Sequence, residues 1–204
     1  MSGASSPAHI QTYSDLMHEV KRRHASLRIA FNEPHRLLYK ATIIDHCYLQ
    51  LRKILELVAF SVLSANQHAL SSLQHSTPKE YHAEKVLRAI ERKFGQVYPR
   101  PIIQEMDPSP GIRANFAEKV GGYLTRADFT ELYNECGNVL HGRNPFRKPL
   151  DLDHYWEAIP VWSGKVRELL DSHIATIVND PNLYLVQMAA DDERPTITTF
   201  GPVS

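Results

Sequence analysis

The sequence predicts a mainly α-helical fold, an antiparallel bundle of about five helices with a small C-terminal β-hairpin. Apolar residues recur at steps of three and four along most of the chain, and short β-type runs replace this period only after residue 180. We therefore expect a helical bundle domain over residues 1–180 and a β-hairpin appendage over residues 181–204. A length of 204 residues suits one domain with a sizeable core.

The first predicted helix covers about residues 8–31, and Asn32-Glu33-Pro34 ends it. The second is the most regular, because its apolar residues alternate between steps of four and three over more than three heptads. Its stripe comprises Leu37, Ala41, Ile44, Tyr48, Leu51, Leu55, Val58 and Val62. Such a broad stripe predicts a central helix. Arg52 and Glu56 lie one turn apart on its polar face and can form an ion pair, which on a long helix is usually solvated.

The third helix is predicted to open at Ser76-Thr77-Pro78-Lys79-Glu80, with Thr77 as N-cap, and to end at Gly95. Residues 96–124 should be irregular, because their four prolines forbid a long helix. A last helix is predicted over about residues 152–178, its stripe including His173, Ile174 and Ile177. The runs "LYLVQMA" and "TITTF" should then form the terminal hairpin.

Composition limits the classes of function. There are 23 Lys+Arg and 23 Asp+Glu residues, so the formal net charge is zero. A protein that holds nucleic acid mainly by bulk electrostatics is usually basic, so any such contact should come from a local site. No apolar run approaches the roughly 20 residues that span a membrane. The start "MSGASSPAH" lacks the regions of a signal peptide, and we expect a cytoplasmic protein with no membrane partner.

Cofactor chemistry finds little support in the sequence. Cys47 and Cys136 lie on apolar helix stripes and are expected to be buried thiols. Two cysteines form neither a disulfide framework nor a zinc site. The eleven histidines are scattered, and no pair has the His-Glu-x-x-His spacing of a zinc helix. We expect no metal and no other cofactor.

The stretch "LYNECGNVLHGRNPF", residues 132–146, is the most informative for function. It belongs to a helix predicted over residues 125–142, capped by Thr125 with Asp128 three residues on. Its buried stripe comprises Phe129, Leu132, Tyr133, Cys136 and Leu140. At about 100° per residue, Asn134, Gly137 and His141 share one flank of this stripe, and Asn138 lies beside them.

Gly137 inside a helix costs about 1 kcal/mol relative to alanine, which suggests that a helix or a ligand packs closely there. His141 occupies the last turn. One interpretation is structural: a histidine there complements the helix dipole, and the following Asn-Pro turn redirects the chain. The other is that His141 and Arg143 face a pocket with Asn134 and Asn138, where histidine moves protons and arginine holds a phosphate.

A helical bundle whose late helix ends in Leu140-His141-Gly142-Arg143-Asn144-Pro145 resembles the HEPN superfamily. The resemblance covers about residues 8–178, and the preceding long helix with Arg52 and Glu56 is consistent with it. Active members are metal-independent endoribonucleases with an arginine, four to six residues and then a histidine, and they dimerise so that two motifs meet. Only the histidine has a counterpart here, as His141. The arginine position would fall at residues 134–136, none of which is basic.

The resemblance implies a diverged endoribonuclease, or a protein that binds RNA or a nucleotide, in a bacterial defence or toxin–antitoxin system. His141 and Arg143 would be catalytic, and Asn134, Asn138, Arg52 and Glu56 would contact the substrate. A homodimer and a possible partner protein would follow. The alternative is a non-catalytic helical module that binds another protein. A metal enzyme is a third class, for which the ligand spacing is missing.

Overall fold

Helices form most of the regular structure. The computed structural model describes residues 8–67, 69, 82–105, 115–141, 146, 149–188 and 193–202. Within them lie a 3-10 helix at Pro34–Arg36 and five α-helices: α1 (Ala8–Asn32), α2 (Lys40–Ala65), α3 (Ala83–Phe94), α4 (Arg126–Leu140) and α5 (Leu152–Leu170). The number of helices agrees with the prediction. The proposed cap of the third helix at Thr77 and Glu80 lies outside the described residues.

A five-stranded antiparallel sheet accompanies the helices and makes this a mixed α and β fold. Its strands are β1 (Arg100–Glu105), β2 (Asn115–Glu118), β3 (Ser172–Ala175), β4 (Leu183–Gln187) and β5 (Thr196–Phe200). They lie in the order β2-β1-β3-β4-β5. The predicted bundle with only a small hairpin is therefore wrong in its β content. The hairpin itself forms, as β4 pairs with β5 from Leu183↔Phe200 to Gln187↔Thr196.

The strand β3 replaces the end of the predicted last helix. We expected that helix to reach residue 178, but α5 ends at Leu170. His173 faces the helices and is fully buried, while its neighbour Ile174 packs on the other side of the sheet with Ile102 and Leu185. A buried pair of neighbours fits a helical stripe as well as a strand covered on both faces, so periodicity could not separate them. Pairing with β1 and β4 decides the conformation.

The strands β1 and β2 lie in the region that we expected to be irregular. Pro101 is the second residue of β1, and its carbonyl accepts a hydrogen bond from the Lys119 amide at 3.0 Å. A proline early in a strand removes one donor and leaves the acceptor free to pair. Its presence therefore excluded a helix without excluding a strand. Because β3 precedes residue 180 and β4 follows it, strands from both sides of that residue belong to one sheet.

Helix α2 is central, as its stripe predicted, and it packs against α1, α3, α4 and α5. Its buried residues come mostly as neighbouring pairs, such as Ile43-Ile44 and Ile54-Leu55, so the stripe is two residues wide and needs cover on more than one side. The other helices provide that cover within one chain. Cys47 and Cys136 are both buried free thiols, as expected. In the described part of the chain, no helix is long and apolar enough to cross a bilayer.

Candidate functional site on α2 and α4

Helix α4 carries the predicted histidine and begins as the sequence suggested. The Thr125 hydroxyl accepts from the Asp128 amide at 3.1 Å, and the Asp128 carboxylate accepts from the Thr125 amide at 3.0 Å. This capping box satisfies two amides that the helix leaves without partners. Lys165 of α5 also donates to Asp128 at 3.0 Å. These bonds with the Thr125 amide and Lys165 outweigh burial and hold the pKa of Asp128 below its usual value. They fix the start of α4.

The far end of α4 presents His141. The helix ends at Leu140, and His141 is its C-cap, with extended backbone angles of φ −76° and ψ 139° and an amide that donates to the Gly137 carbonyl at 3.1 Å. We expected Gly142 to be the C-cap, one residue later. The side chain of His141 is exposed, as are those of Asn134 and Asn138. Residues 142–145 lie outside the described part, so the role predicted for Arg143 remains a prediction.

Arg52 and Glu56 form the ion pair that their spacing predicted, with 3.3 Å between Nε and Oε1. Their environment differs from a solvated face, because only 27% of the Arg52 side chain and 14% of the Glu56 side chain are exposed. The guanidinium also donates through Nη2 to the Tyr133 hydroxyl at 3.1 Å. Its central carbon lies 4.6 Å from the centre of the Tyr133 ring. Lys53 donates to the other oxygen of Glu56 at 2.8 Å. The side chain of Arg52 thus lies in the interface between α2 and α4.

Gly137 of α4 lies beside the guanidinium of Arg52. A Cβ atom on Gly137 would lie 3.8 Å from Nη1 of Arg52. The close neighbour that we expected there is therefore an arginine side chain of α2. A methyl group at this position would make ordinary van der Waals contact with Arg52, whereas a longer side chain would have to displace the guanidinium.

His82, just before α3, completes a group that we call the α2–α4 cluster: Arg52, Glu56, Tyr133 and His82. The His82 and Tyr133 ring centroids are 4.7 Å apart, with the planes tilted by 57°. Nδ1 of His82 is buried and has no hydrogen-bond partner among the described residues. Sequence analysis missed His82, because it stands outside every helical stripe. Tyr133 was assigned to the buried stripe only, although its hydroxyl is what holds Arg52.

Glu135, one of the three positions at which the superfamily would have its arginine, has a structural role. Glu135 accepts hydrogen bonds from the Tyr48 hydroxyl and, at 3.1 Å, from Nε1 of Trp162. Burial, together with the carboxylate of Glu135, raises the pKa of Tyr48. Glu135 therefore ties α4 to α2 and α5. The neighbouring Cys136 is buried, and burial raises the pKa of its thiol, which disfavours the reactive thiolate.

The structure brings only some of the predicted site residues together. Arg52 and Glu56 share one cluster with Tyr133, against Gly137. Within the described residues, no hydrogen bond joins Asn134, Asn138 or His141 to that cluster. Gly137 and His141 are one turn apart, about 5–6 Å along the helix. No group of three or more His, Cys, Asp and Glu residues in the described part could hold a metal ion.

Comparisons with known proteins found no match for this chain. The chain matches no protein-family model, and neither a curated protein nor a solved structure is similar to it. The residues on α2 and α4 are therefore the basis for assigning a function.

Proposed function

We propose that this protein is a HEPN-like, metal-independent endoribonuclease or RNA-binding protein of a bacterial defence or toxin–antitoxin system. The observation that supports this most is the position of Arg52. Its guanidinium contacts Tyr133 and lies beside Gly137, on the same turn of α4 in which the superfamily has its arginine. Arg52 would supply from α2 the positive charge that residues 134–136 of α4 lack.

The chemistry assigned to each residue follows from its type and position. His141 is exposed at the end of α4 and would take the proton from a 2′-hydroxyl or give one to the leaving oxygen. Arg52 would stabilise the charge that develops on the phosphate. Glu56 and Tyr133 would hold the guanidinium in place. Arg143 would provide a second phosphate contact, and Asn134 and Asn138 would bind the nucleotide.

Assembly into a homodimer belongs to the same proposal. The broad stripe of α2 gives no reason to expect a dimer, because the other helices of the same chain cover it. The reason that remains is the resemblance, in which two motifs meet at an interface. An exposed His141 at a helix end is compatible with such a meeting of two copies.

A cleavage assay tests the proposal. We expect the wild-type protein to cut or bind a mixed RNA pool in the presence of a chelator, at neutral pH and low salt. His141→Ala should lower the cleavage rate by about 10²–10⁴-fold, the usual contribution of general acid–base catalysis. His154→Ala replaces another exposed histidine, on α5, and is the matched control. If only RNA binding is seen, it should weaken as salt is raised, because phosphate contacts are electrostatic.

Arg52 gives a second, independent test. Arg52→Lys keeps the charge but loses the planar group that reaches both Glu56 and Tyr133, so activity should fall while the protein stays folded. A wild-type protein that neither cuts nor binds RNA would overturn the proposal and favour the non-catalytic interaction module. Equal activity of wild type and Arg52→Lys would remove Arg52 from the mechanism.

A further inference from the structure

The face of the sheet turned away from the helices contains a small apolar cleft. Ile102, Ile174 and Leu185 form a buried cluster there, separate from the main core. Phe116 and Phe200 stand at its rim and are 45% and 42% exposed. The cleft has a volume of about 280 Å³. This is close to the lower limit of about 300 Å³ for small-molecule sites.

Curling of the sheet makes this face concave. Phe116 lies on β2 and Phe200 on β5, the two edge strands. Four strand spacings of about 4.8 Å would put these strands about 19 Å apart in a flat sheet. Their ring centroids are nevertheless 6.2 Å apart. The register shows where the curl arises, because β1 pairs with β3 only through Arg100 and Pro101.

Charge lies at one side of the cleft. Arg100 and Glu118 both line it, and Nη1 of Arg100 donates to Oε1 of Glu118 at 3.0 Å. The Glu118 side chain is 73% exposed, and that of Arg100 is 38% exposed. An ion pair this exposed contributes little to stability. Glu118 is the more exposed partner and can turn into water, which leaves the guanidinium of Arg100 available to another anion.

We propose that this cleft binds a small amphipathic carboxylate, with its apolar body on Ile174 and Leu185 and its carboxylate on Arg100. A second copy of the chain is a poorer occupant, because two concave faces cannot fill each other. A purely apolar molecule would leave the guanidinium unused. This site lies on the sheet, and the proposal does not depend on the RNA chemistry assigned to α2 and α4.

Titration calorimetry of the full chain with octanoate tests the proposal. Hexanoate should bind about 15-fold more weakly, because it lacks two methylenes and each buried methylene changes affinity about fourfold. Arg100→Gln should weaken octanoate at least about tenfold, through loss of a charge-assisted hydrogen bond, and leave the binding of 1-octanol unchanged. Phe200→Ala should weaken both ligands. Val161→Ala, at an exposed apolar residue of α5, should weaken neither.

Several results would overturn the proposal. These are no heat from octanoate, equal affinity of Arg100→Gln and wild type, or octylamine binding in preference to octanoate. Sedimentation gives another: a wild-type dimer that Phe200→Ala converts to monomers would show that a second copy covers the cleft. Thermal midpoints within a few degrees of wild type show that the variants are folded, since all three changed side chains are partly exposed.

Discussion

His173 should make the stability of this protein depend on pH between about 4 and 6.5. Its ring is completely buried, with Nδ1 donating to the Leu170 carbonyl at 2.9 Å and Nε2 accepting from the Tyr13 hydroxyl at 2.8 Å. Burial disfavours the charged ring and lowers the pKa of His173 from 6.5 to about 4. In the unfolded chain the ring would keep its ordinary pKa. Between these two values, only the unfolded state binds the proton.

The direction and size of the effect follow from this difference. Stability rises with pH wherever the unfolded state binds more protons, so the free energy of unfolding should have its full value above pH 6.5 and decrease as the pH falls towards 4. The two pKa values differ by about 2.5, and each pH unit corresponds to about 1.4 kcal/mol, which gives about 3 kcal/mol in total. From pH 7 to pH 5 the loss from His173 should be about 2 kcal/mol.

Urea unfolding at pH 7 and pH 5 measures this loss in matched variants. His173→Gln removes the titrating ring, so its stability should change by about 2 kcal/mol less than that of wild type. His35→Gln, at an exposed histidine, should keep the wild-type dependence. Tyr13→Phe leaves Nε2 of His173 without its donor and should cost about 1–3 kcal/mol at pH 7, but it keeps the dependence on pH. If His173→Gln loses as much stability as wild type between the two pH values, His173 does not titrate on unfolding.

Three further predictions concern α4 and the assembly. Gly137→Ala should raise stability by up to about 1 kcal/mol, because alanine favours a helix more than glycine does and its Cβ would make ordinary contact with Arg52. The thermal midpoint should rise accordingly. Gly137→Leu must displace the guanidinium and should lower stability by about 1–3 kcal/mol, more than Asn134→Ala on the exposed flank; equal midpoints for Gly137→Leu and wild type would contradict this. Thr125→Ala removes the cap of α4 and should cost about 0.5–2 kcal/mol in urea unfolding, whereas no loss would mean that the capping box does not stabilise the helix. Light scattering should show a homodimer. A monomer at every concentration would contradict the proposal that the motifs of two copies meet at an interface.

The α2–α4 cluster could be predicted only in part. The spacing of Arg52 and Glu56 predicted their ion pair, and the predicted span of α4 put His141 in its last turn, one residue from its observed place as the C-cap. The partner of Arg52 was not predictable, because Tyr133 follows 81 residues later and looks like any buried aromatic of a stripe. His82 carried no signal at all. Contacts of this kind depend on how two helices pack, and neither helix specifies that alone.

The same division applies to the fold. Elements whose hydrogen bonds are local could be predicted from the sequence. Each of the helices α1, α2 and α4 forms within one stretch of chain, where an apolar stripe or capping residues indicate it. Tertiary structure decided β1, β2 and β3. Residues 172–175 have a pattern compatible with helix, and they become a strand because β1 and β4 supply backbone partners from both sides. Arg100 lies 74 positions before its partner Ile174, so no local pattern could encode that pairing.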